Sequence, residues 1–171
     1  ARIVFNYINP VDSNKALIGA GAGTVLQSSG DGGITAFNVN GILISQLKIN
    51  GSPAVVNEVG ISFTSVTASK IDKVWIENMG GSAIAFFASS NNNTISGNHL
   101  YNNVRDLTGG NINLASSNDN TISANNIQGG GDSGILVYGS SNNTISNNNI
   151  QGNDDGIYVF FNSKFNTISS N

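Results

Sequence analysis

Isoleucine recurs at one place in a repeated Asn-Thr-Ile-Ser unit in the second half of the chain. The four copies of the unit occupy 93–96, 120–123, 143–146 and 166–169. Successive isoleucines are therefore 27, 23 and 23 residues apart. In the first three copies a second apolar residue follows five positions later, with an asparagine between the two. This pattern predicts a short strand, a bend and a second short strand in each repeat.

The same pattern extends toward the N-terminus in degenerate form. Earlier copies of the apolar pair are Ile44 with Ile49 and Ile71 with Ile76. A further column of isoleucines precedes each pair and is followed two positions later by Ala, Phe, Leu or Val: Ile34, Ile61, Ile84, Ile112, Ile135 and Ile157. This column predicts a third strand in each repeat. Short strands of this kind bury their apolar faces only when coils stack, so the pattern predicts an all-β fold, a right-handed parallel β-helix of about six coils with three strands per coil.

The repeat pattern covers most of the chain and predicts one β-helix domain over 1–171. We expect residues 1–15 to form an N-terminal strand or cap region and residues 16–171 to form the coils. The chain begins at Ala1 and ends at Asn171 inside a copy of its own repeat. We therefore expect it to be a fragment of a longer protein.

Asparagine recurs at the bend between the two apolar positions of the later repeats. The residues at this position are Asn98, Asn125, Asn148 and Asn171. Stacked asparagines can pass side-chain amide hydrogen bonds from coil to coil at the interstrand spacing of about 4.8 Å. We interpret them as a structural ladder.

Composition excludes several classes of partner. The chain of 171 residues has 10% charged residues and a net charge of -3, so it has no basic stripe that would bind nucleic acid. No run approaches the roughly 20 apolar residues of a membrane-spanning helix, and we expect no membrane insertion. Because the chain has no cysteine, disulfides and thiolate metal sites are excluded.

Three stretches resemble the pectin-lyase-like right-handed β-helix superfamily. They are the Gly- and Ala-rich segment 16–25, the segment Gly-Ile-Leu-Ile-Ser at 41–45, and the Asn-Thr-Ile-Ser coils. The Asn-rich coils are most similar to NosD-type and surface-protein repeats. The resemblance implies the β-helix fold and a location outside the cell, at the cell surface or at a virion surface. It leaves function open, because the superfamily includes polysaccharide lyases and hydrolases, epimerases, tailspikes and adhesins.

Side chains that alternate with the buried columns should point outward and form rows. One such row contains Lys48, Trp75 and His99, and Tyr101 and Lys73 lie nearby. An aromatic plane beside polar groups suits a sugar ring, which has an apolar face and a rim of hydroxyls. We interpret these five residues as ligand-binding candidates for a polysaccharide or cell-surface glycan. The alternative is that Trp75 only covers an irregular coil.

Carboxylates provide candidates for catalysis. Glycoside hydrolysis generally uses two carboxyl groups roughly 5 to 9 Å apart. Two pairs fit a stacked arrangement, Asp72 with Glu77 and Asp132 with Asp154. Asp155 adds a third carboxylate to the second pair, so a Ca²⁺ site is an alternative there. Turn chemistry, in which aspartate before glycine stabilises a bend, is the other interpretation.

Enzyme signatures from the related families are missing. The chain has neither the paired aspartates with Gly-His-Gly of polygalacturonase-like enzymes nor the calcium-binding aspartates with a catalytic arginine of the lyases. We therefore lean toward a chain that is not an enzyme and expect no cofactor. The copper role implied by NosD-type repeats also lacks ligands, because the chain has one histidine, one methionine (Met79) and no cysteine.

A column of aromatic residues lies beside the earlier isoleucines and should face outward. Its members are Phe37, Phe87, Tyr138 and Phe160. An exposed aromatic strip predicts a contact surface, and the open ends of the coils are a second possible contact between copies. Three hypotheses remain: a carbohydrate-recognising scaffold, a polysaccharide hydrolase or lyase, and a structural subunit of a filament, surface layer or trimeric tailspike.

Overall fold

The computed structural model describes residues 3–6, 13–28, 30, 32–52, 54–104 and 109–171. In chain order its strands are β1 (Ile3–Asn6), β2 (Ala16–Ile18), β3 (Val25–Gln27), β4 (Ile34–Phe37), β5 (Leu43–Ser45), β6 (Lys48–Asn50), β7 (Ile61–Thr64), β8 (Lys70–Asp72), β9 (Trp75–Glu77), β10 (Ile84–Phe87), β11 (Thr94–Ser96), β12 (His99–Asn103), β13 (Gly110–Ala115), β14 (Thr121–Ser123), β15 (Asn126–Gly130), β16 (Ser133–Tyr138), β17 (Thr144–Ser146), β18 (Asn149–Gln151), β19 (Asp155–Phe160) and β20 (Thr167–Ser169). Within these described ranges, no helix is long and apolar enough to cross a membrane.

The strands form three parallel sheets that run the length of the coil stack. Sheet A has the order β1-β4-β7-β10-β13-β16-β19, sheet B has the order β2-β5-β8-β11-β14-β17-β20, and sheet C has the order β3-β6-β9-β12-β15-β18. Each strand pairs with its counterpart one coil away. The predicted parallel β-helix of about six coils with three strands per coil is therefore confirmed.

The isoleucine columns lie inside the coils in the predicted register. Ile71, Ile95 and Ile122 pair in succession in sheet B, and Ile61 pairs with Ile84 in sheet A. All five side chains are completely buried. Burying an isoleucine side chain contributes about 1.5–3 kcal/mol, so the columns are a main source of stability.

Five of the six turns from sheet B to sheet C bend at one residue in the left-handed region, the turn from β2 to β3 being the exception. The residues at this bend have φ between 52° and 64°: Gln46, Lys73, Gly97, Ala124 and Asn147. A non-glycine side chain is strained in that region, and the stacked coils hold it there. The residue after the bend points into the stack.

The predicted asparagine ladder occupies that position after the bend. Asn125 Oδ1 accepts hydrogen bonds from the Asn98 backbone N–H at 3.0 Å and from Asn98 Nδ2 at 2.9 Å. Asn148 Oδ1 accepts from Asn125 in the same way, and Asn171 Oδ1 from Asn148. At the upstream end Asn98 Oδ1 accepts from the backbone N–H of Val74 at 3.0 Å. The ladder thus satisfies polar groups that the stack has buried.

Two further ladders run along the bend before sheet B, and sequence patterns did not identify them. Asn120 Oδ1 accepts from the backbone N–H of Asn93, and Asn143 Oδ1 from that of Asn120, both at 2.9 Å. In a parallel row, Ser140 Oγ accepts from the backbone N–H of Ser117 at 3.0 Å. The asparagine of the repeat is therefore a buried structural residue in its own right.

The N-terminal region contributes a strand to the stack. β1 pairs with β4, so sheet A begins inside the predicted region 1–15. Residues 1–2 and 7–12 lie outside the described residues. The division of the chain into a cap region and coils stays a prediction.

Candidate functional site

A row of three side chains from consecutive coils lies on the outer face of sheet C. Lys48 pairs with Trp75, and Trp75 pairs with His99. Their strand neighbours Ile49 and Ile76 are completely buried, so the row itself must point outward. The structure thus brings together three of the five ligand-binding candidates in one row.

The rings of Trp75 and His99 lie parallel to each other. Their centroids are 5.6 Å apart and their planes differ by 4°. This spacing is close to the distance between coils, because each ring stands upright on its own strand. Trp75 is half-buried and His99 is exposed. The pair forms an aromatic ledge at the middle of the sheet.

A second row on the same face places charge and a phenol beside the aromatic ledge. Glu77 pairs with Tyr101 one coil away. Lys48 Nζ lies 2.6 Å from Glu77 Oε1, and this ion pair crosses diagonally from the first row to the second. Tyr101 is 57% exposed. We name the set Lys48, Trp75, Glu77, His99 and Tyr101 the sheet C face.

Lys73, the fifth predicted ligand-binding residue, lies outside both rows. It occupies the left-handed bend before β9, with φ of 52°, and its side chain is exposed. A residue at the bend projects from the corner between sheets B and C. Lys73 is therefore a neighbour of the sheet C face and not one of its members.

The carboxylates of Asp72 and Glu77, predicted as a catalytic pair, belong to different sheets. Asp72 belongs to sheet B, where it accepts a hydrogen bond from Ser96 Oγ at 2.8 Å and lies 3.2 Å from Lys70 Nζ. Glu77 belongs to sheet C and is held by Lys48. The two side chains therefore project from different sheets, on either side of the bend at Lys73, and a shared catalytic site for them stays a prediction.

The titration of Asp72 also argues against an acid role. Burial tends to raise the pKa of Asp72, but the hydrogen bond from Ser96 and the ammonium groups of Lys70 and Lys73 outweigh it and hold the pKa below its ordinary value. A general acid in glycoside hydrolysis needs the opposite shift.

The aspartates near the end of sheet A stabilise turns. Asp132 Oδ2 accepts a hydrogen bond from the Gly109 backbone N–H at 2.9 Å. The backbone N–H groups of Asp154 and Asp155 donate to the Asp132 carbonyl oxygen at 2.9 and 3.2 Å. Nowhere in the described ranges do three His, Cys, Asp or Glu side chains converge as a metal site requires. The described hydrogen bonds of these three aspartates are turn contacts made by their backbone and by one carboxylate, which favours the turn interpretation over a Ca²⁺ site.

The described residues do not fit a copper site either. His99 is exposed on sheet C and stacks on Trp75, whereas Met79 is completely buried in the core. With no cysteine in the chain, the soft ligands that select copper are not brought together.

The aromatic column predicted beside the isoleucines lies on the outer face of sheet A. Phe37 is 43% exposed and Phe160 is 37% exposed. Tyr138 contacts Phe160 edge to face, with centroids 5.0 Å apart, and stacks on Phe161 at 4.7 Å. Association of copies through this strip or through the coil ends stays a prediction.

Three parallel sheets around an apolar core, with buried asparagine ladders at the bends, define a β-helix of the pectin-lyase-like class. Within that class the chain belongs to the NosD family: the family model described as "Periplasmic copper-binding protein (NosD)" matches residues 6–171.

Solved structures of the periplasmic alginate epimerase AlgG share this fold. A point mutant of AlgG superposes with a TM-score of 0.71 at 18% identity, covering 87% of this chain and 44% of that one. The AlgG structure without a mutation gives 0.67 and 18%, covering 81% and 42%. This chain thus spans less than half of the AlgG structures, and the likeness shows the fold alone. Comparison with curated protein sequences finds no match.

Proposed function

We propose that this chain is a β-helix module of the cell envelope or extracellular space that binds carbohydrate on the sheet C face and serves as a rigid scaffold. The observation that carries the proposal is the parallel pair of Trp75 and His99 with an ion pair and an exposed phenol beside it. The periplasmic description of the family and the alginate-epimerase description of AlgG support this location and partner. A virion surface is the alternative location.

The chemistry of the face matches the two sides of a sugar ring. A pyranose presents an apolar face of C–H groups, which an indole ring covers, and a rim of hydroxyls. The ammonium group of Lys48 can donate to a hydroxyl, and the carboxylate of Glu77 can accept from one. Since these two groups lie 2.6 Å apart, they present opposite polarities at one edge of the indole.

The scaffold holds these groups without further ordering. The side chains stand on β6, β9 and β12, whose inward neighbours Ile49, Ile76 and Leu100 are at most 1% exposed. A site built on packed strands loses little entropy when a ligand binds. Rigidity of the stack and recognition on its face are therefore two consequences of one architecture.

A polysaccharide hydrolase or lyase is the less favoured function. Asp72 and Glu77 point to different faces, and Asp132 bonds to the backbone of Gly109. Of the four carboxylates predicted as catalytic, only that of Glu77 belongs to the sheet C face. The proposal therefore predicts binding without fragmentation of the glycan. A structural subunit of a filament, surface layer or tailspike stays an alternative that binds no glycan.

The test uses Trp75, the only tryptophan in the chain. Glycan-array screening selects a ligand, whose dissociation constant is then measured by calorimetry, while a shift of tryptophan emission reports contact with the site. We expect Trp75→Ala to weaken binding about tenfold, since aromatic contacts contribute about 0.5–1.5 kcal/mol and 1.4 kcal/mol is a factor of ten. Trp75→Phe should retain most of the affinity.

A matched control lies on the neighbouring sheet. Ser123→Ala removes an outward hydroxyl from β14 in sheet B and should leave the affinity unchanged. Affinity that survives Trp75→Ala intact, or a wild-type chain that binds no glycan, would contradict the proposal.

A further inference from the structure

A groove of about 410 Å³ runs along the outer face of sheet A, on a different side of the coil stack from the sheet C face. Its floor lies over β13, where Ala115 provides only a methyl group, and its wall is formed by rings from the next two coils. Tyr158 and Phe160 stack on each other with centroids 4.7 Å apart and planes 9° apart. Tyr138 closes the wall against Phe160.

The polar lining of the groove includes two oxygens that can accept hydrogen bonds. Asn113 Oδ1 is buried and, within the described part of the chain, has no hydrogen-bond partner. Asp132 Oδ2 accepts a hydrogen bond from the Gly109 backbone N–H at 2.9 Å. Among the described residues its other carboxylate oxygen accepts no hydrogen bond, and Asp132 lines the groove. A buried acceptor without a donor is unfavourable, so a rotation of the Asn113 side chain that turns this oxygen toward a donor in the groove is favoured.

Negative charge and aromatic faces meet among the described residues of this groove. None of the described residues that line it is lysine or arginine. Aromatic faces attract cations through their quadrupole, and a carboxylate adds direct Coulomb attraction. A ligand that gains from every part of the lining must therefore be positive, must donate hydrogen bonds and must carry an apolar stem.

We propose that this groove binds a small primary aliphatic amine in its ammonium form. The ammonium group lies between Asp132 and Asn113, and the carbon chain lies against Tyr158 and Phe160. This site is independent of the carbohydrate proposal, because it uses another sheet and no residue of the sheet C face.

The experiment titrates the chain with n-pentylammonium and with pentan-1-ol, a neutral molecule of the same length. Backbone amide shifts in ¹H–¹⁵N spectra should localise pentylammonium to Gly109, Asn113 and Asp132. We expect pentan-1-ol to bind about tenfold more weakly, since it has no charge for the cation–π contact or for the attraction to Asp132. Pentyltrimethylammonium, which keeps the charge but has no N–H donor, should also bind more weakly than pentylammonium.

Two variants test the assignment of residues. Asp132→Asn removes the charge but keeps an oxygen that accepts from the Gly109 N–H, so the fold is retained while affinity falls about tenfold. Tyr158→Leu removes a ring from the exposed wall and should weaken binding several-fold. Circular dichroism checks that both variants are folded.

The outcomes separate this proposal from the previous one. Pentylammonium should leave the emission of Trp75 unchanged, and Trp75→Ala should leave amine binding intact. Equal affinity for pentan-1-ol, unchanged affinity in Asp132→Asn, or shifts confined to the sheet C face would overturn the amine site, whatever the result of the glycan experiment.

Discussion

Removing one central amide from the asparagine ladder should destabilise the whole stack. Asn125 is 1% exposed and its side chain takes part in four hydrogen bonds. It accepts from the N–H and Nδ2 of Asn98 and donates to the carbonyl of Ile95 and to Oδ1 of Asn148. Asn125→Ala eliminates all four at once.

The magnitude follows from the groups left behind. Two buried donors of Asn98 lose their acceptor, and each such loss costs about 1–3 kcal/mol. The Asn148 oxygen keeps a bond from the Asn125 backbone N–H at 3.0 Å, so it adds little to the cost. We therefore expect a loss of about 2–6 kcal/mol, a large share of the roughly 5–15 kcal/mol that stabilises a typical domain.

The assay is urea unfolding followed by circular dichroism, with Trp75 emission as a second probe. The adjacent residue provides the control: Asn126 points outward on sheet C, and among the described residues its side chain accepts one bond, from Asn149 Nδ2, in an exposed setting. Asn126→Ala should change stability by no more than about 0.5 kcal/mol. A loss in Asn125→Ala that is no larger than in Asn126→Ala would refute the reasoning, as would a separation of the two probes into independent transitions.

Two other predictions concern carboxylates. Glu58 is 3% exposed and accepts hydrogen bonds from Ser28 Oγ and from the backbone N–H groups of Gly30 and Ser52. Glu58→Ala should therefore lower the free energy of unfolding by about 3 kcal/mol or more. A loss of under about 1 kcal/mol in urea titration would contradict this prediction. Asp72 has a lowered pKa, so its stabilising contribution is complete above the unfolded value of about 3.9 and disappears as pH falls through the folded value. Melting temperatures measured across this acid range should fall less steeply for Asp72→Asn than for the wild type, and parallel curves would refute the prediction.

The register of the coils could be predicted from sequence because two periodicities act together. Alternation along each strand decides which residues are buried, and the coil-length repeat decides which residues stack. Ile95 and Ile122 satisfy both, so their pairing follows directly. The same logic placed Lys48 beside Trp75 although neither belongs to the Asn-Thr-Ile-Ser unit.

The positions of bend residues could not be predicted in this way. Alternation holds only within a strand, and a left-handed residue at the bend resets the direction of the next side chain. Asp72 and Glu77 are separated by such a bend at Lys73, so alternation alone does not show whether their side chains share a face. Asn93 was missed for a related reason, because its position before the strand does not show that it points inward.

The direction of a short polar side chain also depends on local donors. The backbone N–H groups of Asp154 and Asp155 donate to the Asp132 carbonyl oxygen, whereas the Asp132 carboxylate accepts from the Gly109 N–H. The groove on sheet A likewise depends on Ala115, a small residue that opens space between larger neighbours. A column alignment shows residue types and not the space between them.

Replacing the aromatic ledge by the residue that the repeat uses elsewhere should separate binding from stability. In the following two coils the equivalent positions are Asn126 and Asn149, so the double variant Trp75→Asn with His99→Asn restores a regular asparagine row. The buried neighbour Ile76 is untouched, and the loss is limited to the ring contact of about 0.5–1.5 kcal/mol. Urea unfolding should therefore show a stability change within about 1.5 kcal/mol, while calorimetry should show loss of glycan binding. If the variant instead unfolds, the aromatic ledge serves to cover the coil. If the variant is stable and still binds glycan, the ledge is not the binding site. Only a stable stack with lost affinity supports a functional role for these two departures from the repeat.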